Sequence, residues 1–396
     1  MVRQVKIVAT IGPATASAEA LLSLREAGMD MARLNGSHAD LEWHRGAISL
    51  IRETLPDLPI LLDLPGDREA GKDGFQTRFE SPVIPERDLA LIALACETGL
   101  DFVGVSYVNS AAQVKAIRSE IGGLLTPAIV SKIETQGALD HLGEILAVSD
   151  AIMIDRGDLS VQTSIEGVTL LQKKVVQEAR MVSCPVIIAT EMLESMIHNP
   201  TPTKAEVSDI TNAVLDGASA VMLSAETAIG KYPVESVRFM RRIADKASES
   251  LHQTLDTRDQ RAEIHTVPEA MGEAIALICR KLEVTKIVAI TFGGYAARVI
   301  AANLPSQPIL AVSNSPARAR CFNLYHGTKG IFLDIPFSRT STEHIPLCLE
   351  QLWRQGELVD EDLILVTAVI YPKSGNRMNL IETHHVSDLK ESLGWL

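Results

Sequence analysis

Hydrophobic and polar positions along the chain alternate on the scale of whole elements. Eight short apolar runs, Lys6–Ile11, Met29–Leu34, Pro59–Leu64, Phe102–Tyr107, Ala128–Ile133, Ala151–Ile154, Pro185–Ala189 and Ala220–Leu223, are rich in Val and Ile and too short for helices. Each ends in polar residues or glycine, and the first seven are each followed by a segment that reads as a helix. Ala18–Ala27, with Leu21, Leu22 and Leu24, and Val168–Val182 both carry apolar residues every three to four positions. Pro233–Ser250 reads as a final helix after the eighth run. Eight strand–helix units predict a (β/α)8 TIM barrel over residues 1–250.

The pattern then breaks. Residues 251–264, with the polar stretch Asp256–Glu263, read as a linker, and from His265 a second α/β rhythm begins. A helix near Pro268–Leu282 precedes strands at Lys286–Thr291, Pro308–Val312, Gly330–Leu333 and Asp362–Val366, which predicts a smaller α/β C-terminal domain over 265–396. Its loop Thr291–Tyr295 is either a helix N-terminus open to an anion or a tight turn that uses two glycines.

Composition narrows the function classes. Hydrophobic content of 46% supports a sizeable core, and the formal net charge of −13 argues against nucleic acid or an anionic membrane as partner. Five scattered cysteines without CxxC spacing read as reduced core residues. The start, MVRQVKIVATIGP, enters a strand directly, and no segment approaches a membrane span, so a cytoplasmic protein is expected.

In a (β/α)8 barrel, catalytic residues come from the carboxyl ends of several strands. Here those ends carry Thr10, Arg33-Asn35-Ser37, Asp63, Lys132-Glu134, Arg156-Asp158, Thr190-Glu191 and Ser224-Glu226. Glu134 and Asp158 finish consecutive runs and suit an oxygen-seeking cation, Mg2+ or Mn2+. Lys132, two residues before Glu134, faces the same side of its strand and suits a phosphoryl or enolate oxygen; the plainer alternative is a Lys–Glu ion pair. Backbone N–H groups at Gly157 could bind a carboxylate, Thr190 could place a hydroxyl near a substrate, and Arg33 could hold a phosphate. The oxygens of Asn35, Ser37 and Asp63 could hold a monovalent cation. Spacing alone points to a metal-assisted enzyme for small anions.

The wording of the chain goes further and resembles the pyruvate kinase family. The matching segments include Lys6–Pro13, Gly28–Asn35 with Ser37-His38, Leu61–Asp63, Ser131–Glu134, Asp150–Leu159, Ala189–Met196, Pro202-Thr203, Asn212–Ala218 and Met222–Thr227. The resemblance implies that Glu134 and Asp158 bind the divalent metal and that Lys132 contacts the transferring phosphoryl group. It further implies that Arg33 binds the substrate phosphate, Thr190 assists proton delivery to the enolate, and Asn35, Ser37 and Asp63 surround K+. Gly157 and Asp158 would hold the substrate carboxylate, while Thr10, Pro13 and His38 match positions near the nucleotide. A homo-oligomer, dimer or tetramer, is the corresponding assembly.

Departures from the family pattern fall on the nucleotide side. Residues 71–84 stand as a short loop where the family inserts a lid domain after the third strand. Pro65 replaces a lysine and Ala70 an arginine, with Arg68 displaced by two positions. Gly36, Trp43, Glu191 and Ile229 are further differences. The expectation is a Mg-dependent enzyme that binds phosphoenolpyruvate, pyruvate or a related 2-oxo acid and stabilises its enolate, leaving the use of ADP or ATP open. Two alternatives stand beside it. One is a metal-dependent C–C lyase, decarboxylase or aldolase, with Trp43 and Phe75 lining a wide mouth. The other is a ligand sensor without turnover.

Overall fold

Val- and Ile-rich runs bury both faces only when neighbouring strands and an outer layer of helices cover them. In the computed structural model, which describes residues 2–66, 84–122, 127–255, 266–338, 340–369 and 378–395, all eight predicted runs become strands. They are β1 (Lys6–Thr10), β2 (Met31–Asn35), β3 (Ile60–Asp63), β4 (Phe102–Val105), β5 (Ala128–Ile133), β6 (Ala151–Asp155), β7 (Val186–Ala189) and β8 (Ala220–Leu223), closed in sequential order into one barrel. Every pairing is parallel. The register sets Thr10 beside Arg33, Asn35 beside Asp63, and Asp155 beside Ala189, so the polar strand ends converge on one rim. Arg68, Ala70, Phe75 and nearly all of the 71–84 loop lie outside the described residues.

The opposite rim is held by a device repeated on alternate strands. Asp30, Asp101 and Asp150 each stand just before an even-numbered strand, and each accepts the N–H of a residue in the preceding odd-numbered strand: Ile7 at 3.0 Å, Ile60 at 2.8 Å and Ile129 at 2.8 Å. The same carboxylates meet arginines from surrounding helices, Arg241 at 3.4 Å, Arg52 at 2.6 Å and Arg118 at 2.8 Å. Before β8, the hydroxyl of Ser219 takes the equivalent place and accepts the N–H of Val186 at 3.3 Å. Each odd-numbered strand thereby has a backbone donor at its start satisfied.

The described residues divide into two compact units, Val5–Ser248 and a second formed by Glu249–Leu396 with Met1–Gln4. The second unit contains β9 (Lys286–Ile290), β10 (Ile309–Ser313), β11 (Thr328–Phe332), β12 (Leu363–Ala368) and β13 (Leu380–His385) in the order β11-β10-β9-β12-β13. The first four are parallel and match the predicted strands; β13 runs antiparallel along β12 and was not anticipated. The Thr291–Tyr295 loop is a tight turn: the N–H of Gly294 donates to Thr291 Oγ1 at 3.1 Å, Gly294 has φ of 83°, and a Cβ there would collide with the Phe322 ring. All five cysteines are free thiols, four of them buried. No described helix is long and apolar enough to cross a membrane.

Asp101 is fully buried and serves both a strand N–H and an arginine. Asp101→Ala strands both, and the expected loss of stability is about 3 kcal/mol. The exposed pair Arg45–Glu97 makes the control. Urea unfolding is expected to show a lower barrel midpoint for Asp101→Ala and an unchanged one for Glu97→Ala.

Candidate active site

On β5, alternation sends Ser131 outward and Lys132 into the barrel, while the strand end carries Glu134 round to the same side. Lys132 Nζ lies 2.9 Å from Glu134 Oε2, 3.3 Å from Asp155 Oδ2 and 4.0 Å from Asp63 Oδ2. It also donates to Ser106 Oγ at 3.2 Å. Burial alone would drive the ammonium towards its neutral form, but the carboxylates of Asp63, Glu134 and Asp155 outweigh it and hold the pKa well above the ordinary lysine value. Lys132 is therefore a fixed cation.

Glu134 is 0% exposed. Burial raises its carboxyl pKa, Lys132 pulls it down, and the negative charge of Asp155 pushes it up again, for a net rise. Its Oε1 accepts the N–H of Tyr107 at 2.5 Å. That N–H is aimed by a left-handed residue, since Tyr107 has φ of 52°, an uncommon conformation for a side chain of its size. The other oxygen, Oε2, touches Lys132 but accepts no hydrogen bond of good geometry. A buried carboxylate oxygen left in this state fits a cation.

The turn after β6 supplies the rest of that set. Glu134, Asp155 and Asp158 each offer a carboxylate oxygen, and the three oxygens lie within 4.8 Å of one another. Three acidic oxygens, with Asp158 the most open, fit a hard divalent cation that completes its shell with water or substrate. Glu134 and Asp158 were expected here. Asp155 was missed because the apolar run stops at Ile154, whereas the strand runs one residue further and turns that carboxylate into the cavity.

Thr190 closes the set from β7. Its Oγ1 accepts the N–H of Gly157 at 2.9 Å and lies 3.1 Å from Asp155 Oδ1 and 2.6 Å from the carbonyl of Ala189. Thr190 and Glu191 are consecutive left-handed residues, with φ of 67° and 55°. Arg156 fastens this strained turn. Its Nη2 donates to the carbonyls of Thr190 at 2.6 Å and Glu191 at 3.1 Å, and its Nη1 donates to Asp209 at 2.6 Å. Arg156 therefore points away from the cavity and acts as a positioning residue.

Across the pocket, Arg33 Nε and Nη2 donate to Asp63 Oδ2 at 3.0 and 2.5 Å, and Nη1 donates to Thr10 Oγ1 at 3.1 Å. Asn35 Oδ1 accepts the N–H of Ser37 at 3.1 Å. Together Arg33, Asn35, Ser37, Asp63, Leu64, Ser106, Tyr107, Lys132, Asp155, Gly157, Asp158, Thr190 and Ser224 line one cavity of about 270 Å³. Thr10 stands behind Arg33, while Pro13 and His38 are exposed and outside that lining. Trp43 packs on the barrel core and meets His44 edge-on. Ser106 and Tyr107 were not singled out in the sequence because their contributions, a relay hydroxyl and a backbone N–H, depend on the β4 turn.

A barrel rim that gathers three metal-competent carboxylates, a buried ammonium and a buried guanidinium around one small cavity defines a site for small anions. Comparison with known proteins gives the family. The model described as "Pyruvate kinase, barrel domain" matches residues 2–72 and 68–237, and that described as "Pyruvate kinase, alpha/beta domain" matches 269–384. The pyruvate kinase of Geobacillus stearothermophilus is 32% identical over 481 aligned positions, covering 98% of this chain and 81% of that protein. The pyruvate kinase of Mycobacterium intracellulare is 30% identical over 479, covering 98% and 99%, and that of Thermoplasma acidophilum 29% over 437. The chain belongs to the pyruvate kinase family and is an enzyme of that superfamily. The first two alignments are longer than this 396-residue chain. The barrel match breaks at residues 68–72, where the lid domain was expected to be missing.

Arg156→Met removes the fastening of the Thr190–Glu191 turn and leaves Asp209 and two carbonyls unmatched. The expected loss is about 2 kcal/mol, because Asp209 is partly solvated. Hydrogen exchange should accelerate at residues 190–192 in this variant and stay unchanged there in Asp101→Ala.

Proposed function

We propose that the protein is a divalent-metal-dependent enzyme that binds phosphoenolpyruvate, pyruvate or a related 2-oxo acid and stabilises its enolate. The observation that carries this reading is the fixed ammonium of Lys132, 2.9 Å from Glu134 and 3.3 Å from Asp155, opening on the cavity that Arg33 and Thr190 also reach. A buried positive group held in place by fixed partners stabilises a developing oxyanion without reorganising at the moment of reaction.

Glu134 and Asp158, joined by Asp155, would hold Mg2+ or Mn2+, which when bound supplies Lewis-acid polarisation of the substrate's oxygens. Lys132 would neutralise the enolate or phosphoryl oxygen. Thr190 would hold the proton that moves to or from the adjacent carbon, its hydroxyl oriented by Asp155 and the Gly157 N–H. Arg33 would receive the second anionic group of the substrate by exchanging part of its contact with Asp63. Asn35, Ser37 and Asp63 are the candidates for K+. The relatives are named as pyruvate kinases, so phosphoryl transfer is the further reaction to assay beside enolate formation.

Deuterium exchange into the methyl group of pyruvate, followed by NMR in D2O with Mg2+, tests the reading. Exchange is expected to stop with EDTA, return with Mg2+, and fall by about 100-fold or more in Lys132→Ala. Exchange that ignores both the metal and Lys132 would overturn it. A coupled assay with phosphoenolpyruvate and ADP separates phosphoryl transfer from enolate formation.

A further inference from the structure

Phosphoenolpyruvate carries a phosphate ester that pyruvate and other 2-oxo acids lack, so the charge of the cavity wall bears on which of them the site takes. Arg33, Asp63, Lys132, Asp155 and Asp158 face the cavity, and Glu134 lies directly against Lys132. These are two cations and four carboxylates. Arg156 adds nothing to the balance, since Asp209 and two carbonyls occupy its guanidinium.

Three of the four carboxylates have an evident task. Asp63 receives Arg33. Glu134, fully buried with one oxygen lacking a hydrogen bond, and Asp158 form the metal pair expected from the sequence. Asp155, the third carboxylate of the metal set, stands beyond that pair, 6% exposed, with Oδ2 turned to Lys132 and Oδ1 to the Thr190 hydroxyl. It lies against the two groups that would otherwise meet a phosphoryl oxygen and the reacting carbon.

A divalent cation would bring this wall to zero formal charge; without Asp155 the same set would keep one net positive charge. A 2-oxo acid such as pyruvate brings a single carboxylate. Phosphoenolpyruvate adds a phosphate ester of about −1.5 to −2. Beside buried groups, a further carboxylate a few ångströms from such an ester is strongly unfavourable.

We infer that Asp155 is a specificity-determining residue that turns this site towards monoanionic 2-oxo acids and away from phosphoryl esters. The substrate class is then the 2-oxo acid itself, with enolate formation rather than phosphoryl transfer as the step that the pocket favours. The inference rests on the metal-dependent reading given above.

Calorimetric titration of the full chain at saturating Mn2+, with pyruvate and with phosphoenolpyruvate, tests it. The wild-type protein is expected to bind pyruvate the more tightly. Asp155→Asn, which keeps the shape and removes the charge, is expected to tighten phosphoenolpyruvate by at least about tenfold and to change pyruvate by less than about threefold. Asp155→Ala should shift the same ratio in the same direction, and Mn2+ itself should bind more weakly to both variants. Wild-type preference for phosphoenolpyruvate, or equal changes for the two ligands in the variants, would overturn the inference while leaving the metal-dependent reading intact. Failure of the wild-type protein to bind Mn2+, or either ligand in its presence, would overturn both.

Discussion

An ammonium held out of water requires acid around it, and Lys132 imposes that requirement on half of the barrel rim. Left unpaired, such a charge would cost several kcal/mol. Its three carboxylates come from β3, β6 and the turn after β5, and each is fixed by a further partner. Asp63 is held by Arg33, Glu134 by the Tyr107 N–H, and Asp155 by the Thr190 hydroxyl. Thr10 and Gly157 then fix Arg33 and Thr190. The left-handed residues Tyr107, Thr190 and Glu191 are tolerated because this network over-determines them.

The two rims use similar residues to opposite ends. At the amino rim, Asp30, Asp101 and Asp150 each combine one strand N–H with at least one arginine, so negative charge is matched locally. At the carboxyl rim, four carboxylates face two cations, and Glu134 keeps an oxygen without a hydrogen bond. The first arrangement locks strands together. The second leaves a charge deficit that a bound cation would fill, which is the usual division of labour between the stable and the reactive face of this fold.

Much of this was legible in the chain. The eight runs forecast the eight strands because parallel strands buried on both faces must be continuously apolar. Lys132 and Glu134 were legible because two residues along a strand share a face. Asp155 was not, since a single charged residue ending a strand looks the same as the turn that follows it. The edge strand β13, with the sequence LIETHH and no fully buried position, carries too little hydrophobic signal to be distinguished from loop. Tyr107 escaped notice because its contribution is a backbone N–H, which no side-chain pattern encodes. Arg156 was seen, but nothing in DRGD tells whether its guanidinium enters the cavity or turns away to Asp209.

Enolate chemistry demands that water be kept from the reacting carbon, and where a lid is present its closure does so. In this chain the relevant groups lie below the rim. Lys132, Glu134 and Asp155 are all buried, and Leu64, directly after β3, lines the cavity with Lys132 and Asp155. Their electrostatic strength therefore comes from depth within a closed barrel. A site organised in this way holds its oxyanion-stabilising groups through burial in the barrel wall.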